Sequence, residues 1–417
     1  MKYFLCGIKG SGLASIAHIL KDKGYEVVGS DVNSYVYTED DLLKRNIKIY
    51  KFNEYVFNQE DIVIYGHSFK DSMEVNNAKK ICKETYEYHE YLNKLISESK
   101  LSIAICGSHG KTYTTGLISY IINNLTNVSY LIGDGEGKYN GNDIFVFEAC
   151  EYQDHFLIYK PDICIILNID YDHTDYFKNI DDYINSFQQF ADNSNLVIIN
   201  KDDKNSKKIK HPNSIYYSIK ELNNIILKKE GYMFNIDNKI IKTNVYGEKH
   251  LSNILSAIKL FDYLKIERKD YIQYFDKFCG VKRRFKEIIV NGDIYIDDYV
   301  HHPNQIRYTL EMIKNKYPDY ELIVFFKPDR SSRFLTFYKE IATSLEQANY
   351  AVIMDFPSCN EEKIDLNLLI NLNINKFYHY NKKILKKIKK IKNKVVVSLS
   401  SKNMQEVYEN IFIKTHL

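Results

Sequence analysis

The stretch "SIAICGSHGKTYTTGLISYII" (Ser102–Ile122) runs from an apolar segment through a glycine turn into a second, longer apolar segment. This order predicts a strand, a loop and a helix, the setting in which backbone N–H groups at a helix start bind phosphate. The phosphate-loop pattern also has an earlier glycine, and Ile105 stands in its place. Lys111 is expected to reach the terminal phosphates and Thr112 to ligate Mg²⁺. The stretch therefore predicts a nucleotide site, with an ordinary turn between a strand and a helix as the alternative.

Strands and helices alternate in three blocks along the 417 residues, a length that suggests roughly three domains. The alternation starts near residue 2, restarts at Leu101 and restarts again after "CGVKRRF". Asn291-Gly292 predicts a β-hairpin at the start of the last block. We predict an α/β fold with mostly parallel sheets. Its three domains are a Rossmann-like domain at 1–98, a central phosphate-loop domain at 99–280 and a Rossmann-like C-terminal domain at 281–417.

The composition is that of a soluble globular protein, with 45% hydrophobic and 27% charged residues. A formal net charge of +3 implies no general attraction to nucleic acid or to a membrane surface. The seven cysteines are scattered without a C-x-x-C pair, which argues against a zinc knuckle or a disulfide framework. The N-terminal apolar run "YFLCGI" is too short for a signal peptide or a spanning helix. A reduced, cytoplasmic protein is expected.

A second glycine-rich loop, "GIKGSG" (Gly7–Gly12), lies between a predicted strand and a predicted helix. Such a loop lets backbone N–H groups approach a pyrophosphate. Asp31 ends the following strand, where an acidic residue commonly contacts a ribose. The G-x-x-G-x-G spacing disfavours NAD, and a tight structural turn is the alternative. Two loops of this kind imply two phosphorylated ligands.

Ligands for a hard cation follow the nucleotide loop. Glu148 ends one predicted strand, and "LNIDYDHTDYF" places Asn168, Asp172, His173 and Asp175 just beyond the next. Residues at the carboxyl ends of parallel strands face the ligand crevice of such sheets. Carboxylates there suit Mg²⁺, and a histidine is a less usual ligand for it.

These segments resemble the Mur ligase family, in the same order and nearly from end to end. "GIKGSGLASIAHIL" resembles its UDP-binding loop, and "GSHGKT" resembles its ATP loop, which also lacks the early glycine. The other matching segments are "EACEYQDHFL", "NIDYDHTDYF", "GVKRRF", "DDYVHHPNQI" and "KPDRSSR". The first, second and third domains are then expected to bind UDP-sugar, to bind ATP and metal, and to close over the amino acid.

The resemblance implies a ligase that joins L-alanine to UDP-N-acetylmuramic acid. ATP would phosphorylate the lactyl carboxylate, and the amine of L-alanine would attack the resulting acyl phosphate. ATP and Mg²⁺ are the implied cofactors, with no nucleic acid or membrane partner, and a monomer or a homodimer is expected. Two alternatives stay open: a murein-peptide ligase that adds a tripeptide to the same UDP-sugar, and a silent paralogue that binds UDP-sugar or ATP without turnover.

The resemblance also implies roles for individual residues. ATP binding falls to Gly107, Ser108, His109, Gly110, Lys111, Thr112, Asn253, Arg284 and Asp298. UDP-sugar binding falls to Gly7, Gly10, Ser11, Gly12 and Asp31. The metal ligands are Thr112, Glu148 and His173, with Glu148 shared between two ions. The implied catalytic residues are Lys111, His173, His301, Arg330 and Arg333.

The chain departs from the family pattern at four places. Lys327 and Asp329 stand where glutamine and histidine are usual, and Ser252 replaces a histidine before Asn253. "SLSSKN" (398–403) replaces a glycine turn. Because one methyl group is worth only ~1–3 kcal/mol of discrimination, glycine or serine could replace alanine as the substrate.

Overall fold

The computed structural model describes residues 2–237, 239–355, 365–373 and 375–413. The chain forms two compact units. The first unit comprises the described residues of Met1–Asp170, Ile180–Glu221 and Ser252–Cys279. The second unit comprises those of Tyr171–Asn179, Leu222–Leu251 and Gly280–Leu417.

The first unit begins with a five-stranded parallel sheet. Its strands are β1 Lys2–Cys6, β2 Glu26–Ser30, β3 Lys48–Tyr50, β4 Asp61–Tyr65 and β5 Glu84–Glu87. The helices between them are α1 Ser11–Asp22, α2 Glu39–Lys44, α3 Met73–Ile81 and α4 Tyr88–Ser97. The order across the sheet is β3-β2-β1-β4-β5. The order reverses beside β1, so the loop that follows β1 opens into a crevice where ligands bind in folds of this type.

A seven-stranded sheet completes the first unit. Its strands are β6 Leu101–Cys106, β7 Ser129–Leu131, β8 Gly137–Lys138, β9 Ile144–Glu148, β10 Ile163–Ile166, β11 Leu196–Asn200 and β12 Ser214–Tyr217. Helices α5 Lys111–Asn123 and α6 Ile180–Asp192 belong to it, and α7 Glu248–Tyr263 and α8 Arg268–Tyr271 follow in the chain. The order is β12-β11-β10-β6-β9-β7-β8, and only β8 pairs antiparallel. The central strand β6 leads into the nucleotide loop.

The two sheets of the first unit meet along helix α1. The buried Ser15 hydroxyl donates a hydrogen bond to the Ile132 carbonyl at 3.0 Å. A side chain at Gly137 would lie 2.1 Å from the Ser15 carbonyl oxygen, so α1 packs directly against the backbone of β8. His89 on α4 and Tyr159 beyond β9 share a 2.7 Å hydrogen bond.

The second unit contains a small antiparallel sheet and a larger, mostly parallel one. The small sheet consists of β13 Asn223–Lys228, β14 Gly231–Ile236 and β15 Lys239–Lys242. The larger consists of β16 Lys286–Val290, β17 Asp293–Asp298, β18 Glu321–Phe326, β19 Tyr350–Ile353, β20 Phe377–His379 and β21 Lys394–Leu399. Its order is β16-β17-β21-β18-β19-β20, with only β16 antiparallel. The helices are α9 Pro303–Lys316, α10 Ser331–Leu345, α11 Asn367–Ile370, α12 Lys382–Lys389 and α13 Gln405–Tyr408, and a π-helical turn spans Glu409–Ile413.

The predicted fold class is confirmed: the chain is mixed α/β, with three large and mostly parallel sheets. The hairpin at Asn291-Gly292 joins β16 to β17, with both turn residues at positive φ. Within the described residues, no helix is long and apolar enough to cross a membrane. Six cysteines are free thiols, and Cys359 lies outside the described residues. The three domain boundaries stay a prediction.

Candidate active site

The first glycine loop, Gly7–Gly12, is held from behind by Asp31 at the end of β2. The Asp31 carboxylate accepts hydrogen bonds from the backbone N–H groups of Lys9 at 2.6 Å and Val32 at 2.7 Å. Burial raises the pKa of Asp31, and these two N–H donors act against that rise. The buried Lys9 ammonium pairs with Glu39 at 2.7 Å, which fastens the loop to α2. Asp31 therefore braces the loop, and its contact with a ribose stays a prediction.

The predicted UDP-sugar residues lie together at the start of α1. Gly10 is the N-cap of this helix, and no described side chain caps it. The Gly10 N–H donates to the Gly7 carbonyl at 3.0 Å, which closes the turn, and Ser11 and Gly12 form the first helical positions. A helix start without a side-chain cap offers N–H groups to an anion.

The nucleotide loop, Gly107–Thr112, turns into helix α5 at Gly110. This residue has a φ of +86° and is the N-cap of α5. A Cβ at Gly110 would lie 2.7 Å from the Asn253 side-chain nitrogen, so the predicted adenine ligand Asn253 lies beside the loop. No described side chain caps α5, so the N–H groups of its first turn are placed to receive a phosphate.

Asn168, just beyond β10, holds the first half of the nucleotide loop. Its side-chain oxygen accepts from the His109 N–H at 2.9 Å, and its amide donates to the His109 carbonyl at 2.8 Å. The Ser108 N–H donates to the Asn168 carbonyl at 3.0 Å. The Ser108 hydroxyl donates to the Asp170 carbonyl at 2.7 Å. These bonds fix the shape of the loop.

Lys111 is paired with Glu151, a buried carboxylate that the sequence reasoning missed. The Lys111 ammonium donates to Glu151 at 2.8 Å and to the Gly107 carbonyl at 2.6 Å. Burial alone would lower the pKa of Lys111, but Glu151 outweighs it and the pKa is raised. The Tyr183 hydroxyl donates to the other Glu151 oxygen at 3.0 Å. The lysine is therefore charged and oriented at the loop.

Glu148 and Thr112 supply oxygen atoms at one edge of the seven-stranded sheet. Glu148 ends β9 in register with Ile105 of β6, and Thr112 lies in the first turn of α5. The Glu148 carboxylate accepts from the Gly133 N–H at 3.1 Å. A Cβ at Gly133 would lie 2.2 Å from that carboxylate, so the lack of a side chain at Gly133 leaves room for the Glu148 carboxylate. A carboxylate and a hydroxyl are ligands of the kind that Mg²⁺ prefers, so these residues fit the predicted cation.

The second unit contains a cluster of buried charges around Arg333 on α10. Its guanidinium donates to Asp172 at 2.8 and 3.3 Å and to Asp329 at 2.8 Å. Burial alone would raise the pKa of Asp172, but Arg333 and neighbouring histidines hold it well below its usual range. The pKa of Asp329 is lowered to about 2, because His301 and Arg333 outweigh its burial. One guanidinium thus joins two carboxylates from separate segments.

His173 and Arg330 lie at the edge of the same cluster. Arg330, the N-cap of α10, pairs with Asp175 at 2.9 Å. His173 has a φ of +52°, and its backbone N–H donates to the Asp172 carboxylate at 2.7 Å. A positive φ is uncommon for a residue other than glycine and often marks a functional position. Glu148 belongs to the first unit and His173 to the second, and their sharing of a cation stays a prediction.

The two histidines before α9 differ in role. His302 is the N-cap of α9 and accepts from the Asn304 N–H at 3.4 Å. His301 is partly buried, with Nδ1 3.6 Å from an Asp329 oxygen. Burial and then Arg333 lower the pKa of His301 to about 3, so the imidazole is neutral near pH 7. His301 is the histidine of the pair that lies among the charged groups.

Asp298 and Arg284 organise the junction before β16. The buried Asp298 carboxylate accepts from the Thr309 hydroxyl at 2.7 Å and from the Phe285 N–H at 3.2 Å. Burial raises the pKa of Asp298, against the effect of Arg284. The Arg284 guanidinium lies 4.8 Å from the centre of the Tyr299 ring. Their contacts with ATP stay predictions, and both side chains already have protein partners.

The departures from the family pattern have partners of their own. The Ser252 hydroxyl accepts from the Asn200 amide at 3.2 Å. In the second unit, the Lys327 ammonium nitrogen lies 3.6 Å from a Glu406 carboxylate oxygen. Arg283 donates to the carbonyls of residues 400, 401 and 402 at 2.7–3.1 Å, which holds the turn that replaces the glycine turn. Each substituted position therefore belongs to a local polar network.

Comparison with known proteins identifies the family. Residues 2–100 match the catalytic domain of the Mur ligase family, and residues 105–261 match the Mur ligase middle domain. The fold is similar to that of the UDP-N-acetylmuramate-alanine ligase MurC from Thermotoga maritima (TM-score 0.82, 22% identity, 99% of this chain and 98% of that one). It is also similar to a murein peptide ligase from Psychrobacter arcticus (0.74, 19%, all of both chains). A pseudomurein peptide ligase type C from Methanothermus fervidus is similar too (0.65, 16%, 98% and 99%).

The family matches together cover most of the first two predicted domains, and the fold similarity extends to the third. The segments that match include both glycine loops and the helix that carries Asn253. This chain belongs to the Mur ligase family.

Proposed function

We propose that the protein is an ATP-dependent ligase that joins L-alanine to the lactyl carboxylate of UDP-N-acetylmuramic acid. The reaction would pass through an acyl phosphate and would serve the synthesis of peptidoglycan precursors. The observation that carries the proposal is the nucleotide loop, in which Lys111 is charged and oriented by the buried Glu151. A turn that was only structural would not need an ammonium group held by a buried carboxylate at this position.

The first unit supplies the residues for the phosphoryl transfer. The uncapped start of α5 would bind the terminal phosphates of ATP, and Lys111 would exchange Glu151 for a phosphate oxygen. Asn253, beside Gly110, would contact the adenine. Thr112 and Glu148 would hold Mg²⁺, which when bound neutralises charge on the transferring phosphoryl group. Gly7–Gly12 would hold the pyrophosphate of the UDP-sugar at the start of α1.

The second unit supplies groups for the carboxylate, the acyl phosphate and the amino acid. Arg330 and Arg333 carry fixed positive charge, and a guanidinium binds carboxylate or phosphate with two parallel hydrogen bonds. The neutral imidazole of His301 can accept a hydrogen bond from the amino group of the incoming amino acid. Asp329, ionised next to His301, suits a positively charged amino group. These contacts would orient the amine towards the acyl phosphate and exclude water.

Phosphate release from ATP tests the proposal directly. The assay would contain UDP-N-acetylmuramic acid and receive L-alanine, glycine, L-serine or a tripeptide one at a time. Release that requires both the UDP-sugar and a single small amino acid is the expected result. Release with the tripeptide alone would assign the chain as a murein-peptide ligase. Binding of ATP and UDP-sugar without any release would identify a silent paralogue.

A further inference from the structure

A group of histidines and a glutamate lies in the first unit, apart from the residues proposed above for ATP and Mg²⁺. His67 follows β4 in a short 3₁₀ turn, Glu87 ends β5, and His155 belongs to a 3₁₀ segment beyond β9. The two imidazoles and the carboxylate thus come from three elements and from both sheets of the unit. One potential ligand atom from each residue lies within 4.8 Å of the other two.

The geometry of this group is close to that of a metal centre. His67 Nδ1 lies 2.7 Å from a Glu87 carboxylate oxygen. The centres of the His67 and His155 rings are 4.9 Å apart. Ligand atoms around a tetrahedral zinc ion, with bonds of ~2.0–2.1 Å, are about 3.3 Å apart. Movements on the order of 1 Å, within side-chain freedom, would close the group around one ion.

We propose that His67, Glu87 and His155 form a binding site for one divalent cation of the zinc type. Two imidazole nitrogens and one carboxylate oxygen suit Zn²⁺ and Co²⁺, whereas Mg²⁺ prefers oxygen ligands alone. Three protein ligands leave a fourth tetrahedral position for water. The site is distinct from the predicted Mg²⁺ ligands Thr112 and Glu148, and it does not depend on the proposed ligase reaction.

The surroundings of His155 orient its ring. The ring stacks on His89, with centres 3.9 Å apart and planes 21° from parallel. His89 is fixed in turn by the 2.7 Å hydrogen bond between its Nδ1 and the Tyr159 hydroxyl. The two residues before His155, Gln153 and Asp154, have φ values of +54° and +59°. Two successive non-glycine residues with positive φ cost conformational free energy. Such backbone strain persists where it holds a functional side chain in place.

Glu87 is also held by contacts with its neighbours. Its side chain accepts the backbone N–H of Glu90 in a capping box at the start of α4, and its own N–H donates to the Glu90 carboxylate at 2.7 Å. The following residue, Tyr88, packs on the first glycine loop, because a Cβ at Gly12 would lie 2.7 Å from its ring. A bound cation would therefore connect the loop beyond β9 to the sheet that carries the predicted UDP-sugar loop.

The test is a titration of the full-length chain, stripped with a chelator, with Co²⁺ and then Zn²⁺ in a large excess of Mg²⁺. We expect one Co²⁺ per chain with the visible absorption of a tetrahedral nitrogen and oxygen site, its displacement by one Zn²⁺, and a higher Tm with the metal bound. His67→Ala, His155→Ala and Glu87→Gln should each weaken binding by about 100-fold or more, since loss of a supporting partner alone costs 10–100-fold. Glu87→Gln keeps a side-chain oxygen for the capping box and removes only the negative charge.

Two matched controls identify the site. Glu84→Gln lies on the same strand as Glu87, and His211→Ala removes a partly exposed histidine of the same unit. Both should bind Zn²⁺ like the wild type. Far-UV circular dichroism and the metal-free Tm of each variant separate lost ligands from lost folding. The proposal is overturned if neither metal binds saturably, or if folded ligand variants and controls bind it equally well.

Discussion

The nucleotide loop (Gly107–Thr112) and the arginine cluster (Asp172, Asp329, Arg333 and His301) prepare a site in opposite ways. The loop is shaped mainly by backbone hydrogen bonds to Asn168, with one buried ion pair added. The cluster is shaped by charges that balance one another in a buried setting. The glycines and the lysine of the loop belong to a short motif, whereas the charge balance of the cluster depends entirely on which segments the fold brings together. A substitution in the loop is thus expected to affect mainly the binding of phosphate there. Removal of one charge from the cluster is expected to disturb the balance of all its members.

Removing the loop lysine is expected to have the largest effect. Lys111→Met should lower phosphate release by about 10³-fold, because the phosphates lose a preorganised charge. The variant should also lose about 3–5 kcal/mol of stability, since Glu151 stays buried without its partner. Phosphate release and urea unfolding measure the two effects. The double variant Lys111→Met/Glu151→Gln should regain stability without activity, and regained activity would contradict the role of Lys111.

The arginine cluster is expected to respond through stability. Arg333→Met should cost about 3–5 kcal/mol, because Asp172 and Asp329 would remain as buried charges. Arg330→Met is the matched control: it breaks a pair that is about a third exposed, worth at most about 1 kcal/mol. Urea unfolding of both variants provides the comparison. Equal losses would mean that burial does not distinguish the two arginines.

The neutral state of His301 predicts a dependence of stability on pH. Its folded pKa, about 3, lies below its ordinary value of 6.5, so protonation favours the unfolded chain. Its contribution is complete above pH 6.5 and is lost as the pH falls towards 3, by about 1.4 kcal/mol per pH unit. His301→Gln should flatten the curve of unfolding free energy against pH in this window. Parallel curves for wild type and His301→Gln would refute the assignment.

The smallest expected effect concerns the turn of the nucleotide loop. Gly110→Ala places a side chain at a φ of +86°, 2.7 Å from Asn253, and should cost about 1–2 kcal/mol. Gly141→Ala has the same backbone strain at a φ of +89° with open space around it, so it measures strain alone. The excess cost at Gly110, measured by thermal unfolding, should disappear in an Asn253→Ala background. An excess that persists there would place the crowding elsewhere.

Much of the fold was predictable because its strongest signals are local. The apolar segments that became β1, β4, β6 and β18 are short, nearly continuous and bounded by turn residues, as strands buried on both faces are. The hairpin at Asn291-Gly292 depends on two residues that accept positive φ. Edge strands such as β3 and β20 have three residues each and were not predicted, since so short a segment carries little pattern.

The candidate site was predictable only in part. Lys111 and Gly110 belong to a motif whose chemistry can be read in the chain. Glu151, three residues after Glu148, has the side chain that pairs with Lys111, but no spacing rule distinguishes it from a surface carboxylate. Asp329 stands where a histidine is usual in the family, and the structure balances its negative charge with Arg333. Which residue pairs with a buried charge is decided by the tertiary structure.

The sequence by itself determined the α/β class, the alternation of strands and helices in three blocks and the two glycine loops, because strand periodicity and turn chemistry act over a few residues. The tertiary structure alone decided which charges meet. Arg333 lies 161 residues from Asp172, and His67 lies 20 residues from Glu87 on a neighbouring strand. Such pairs form because buried charges and imidazoles must find partners once the sheets bring their loops together, and distance along the chain does not constrain that choice.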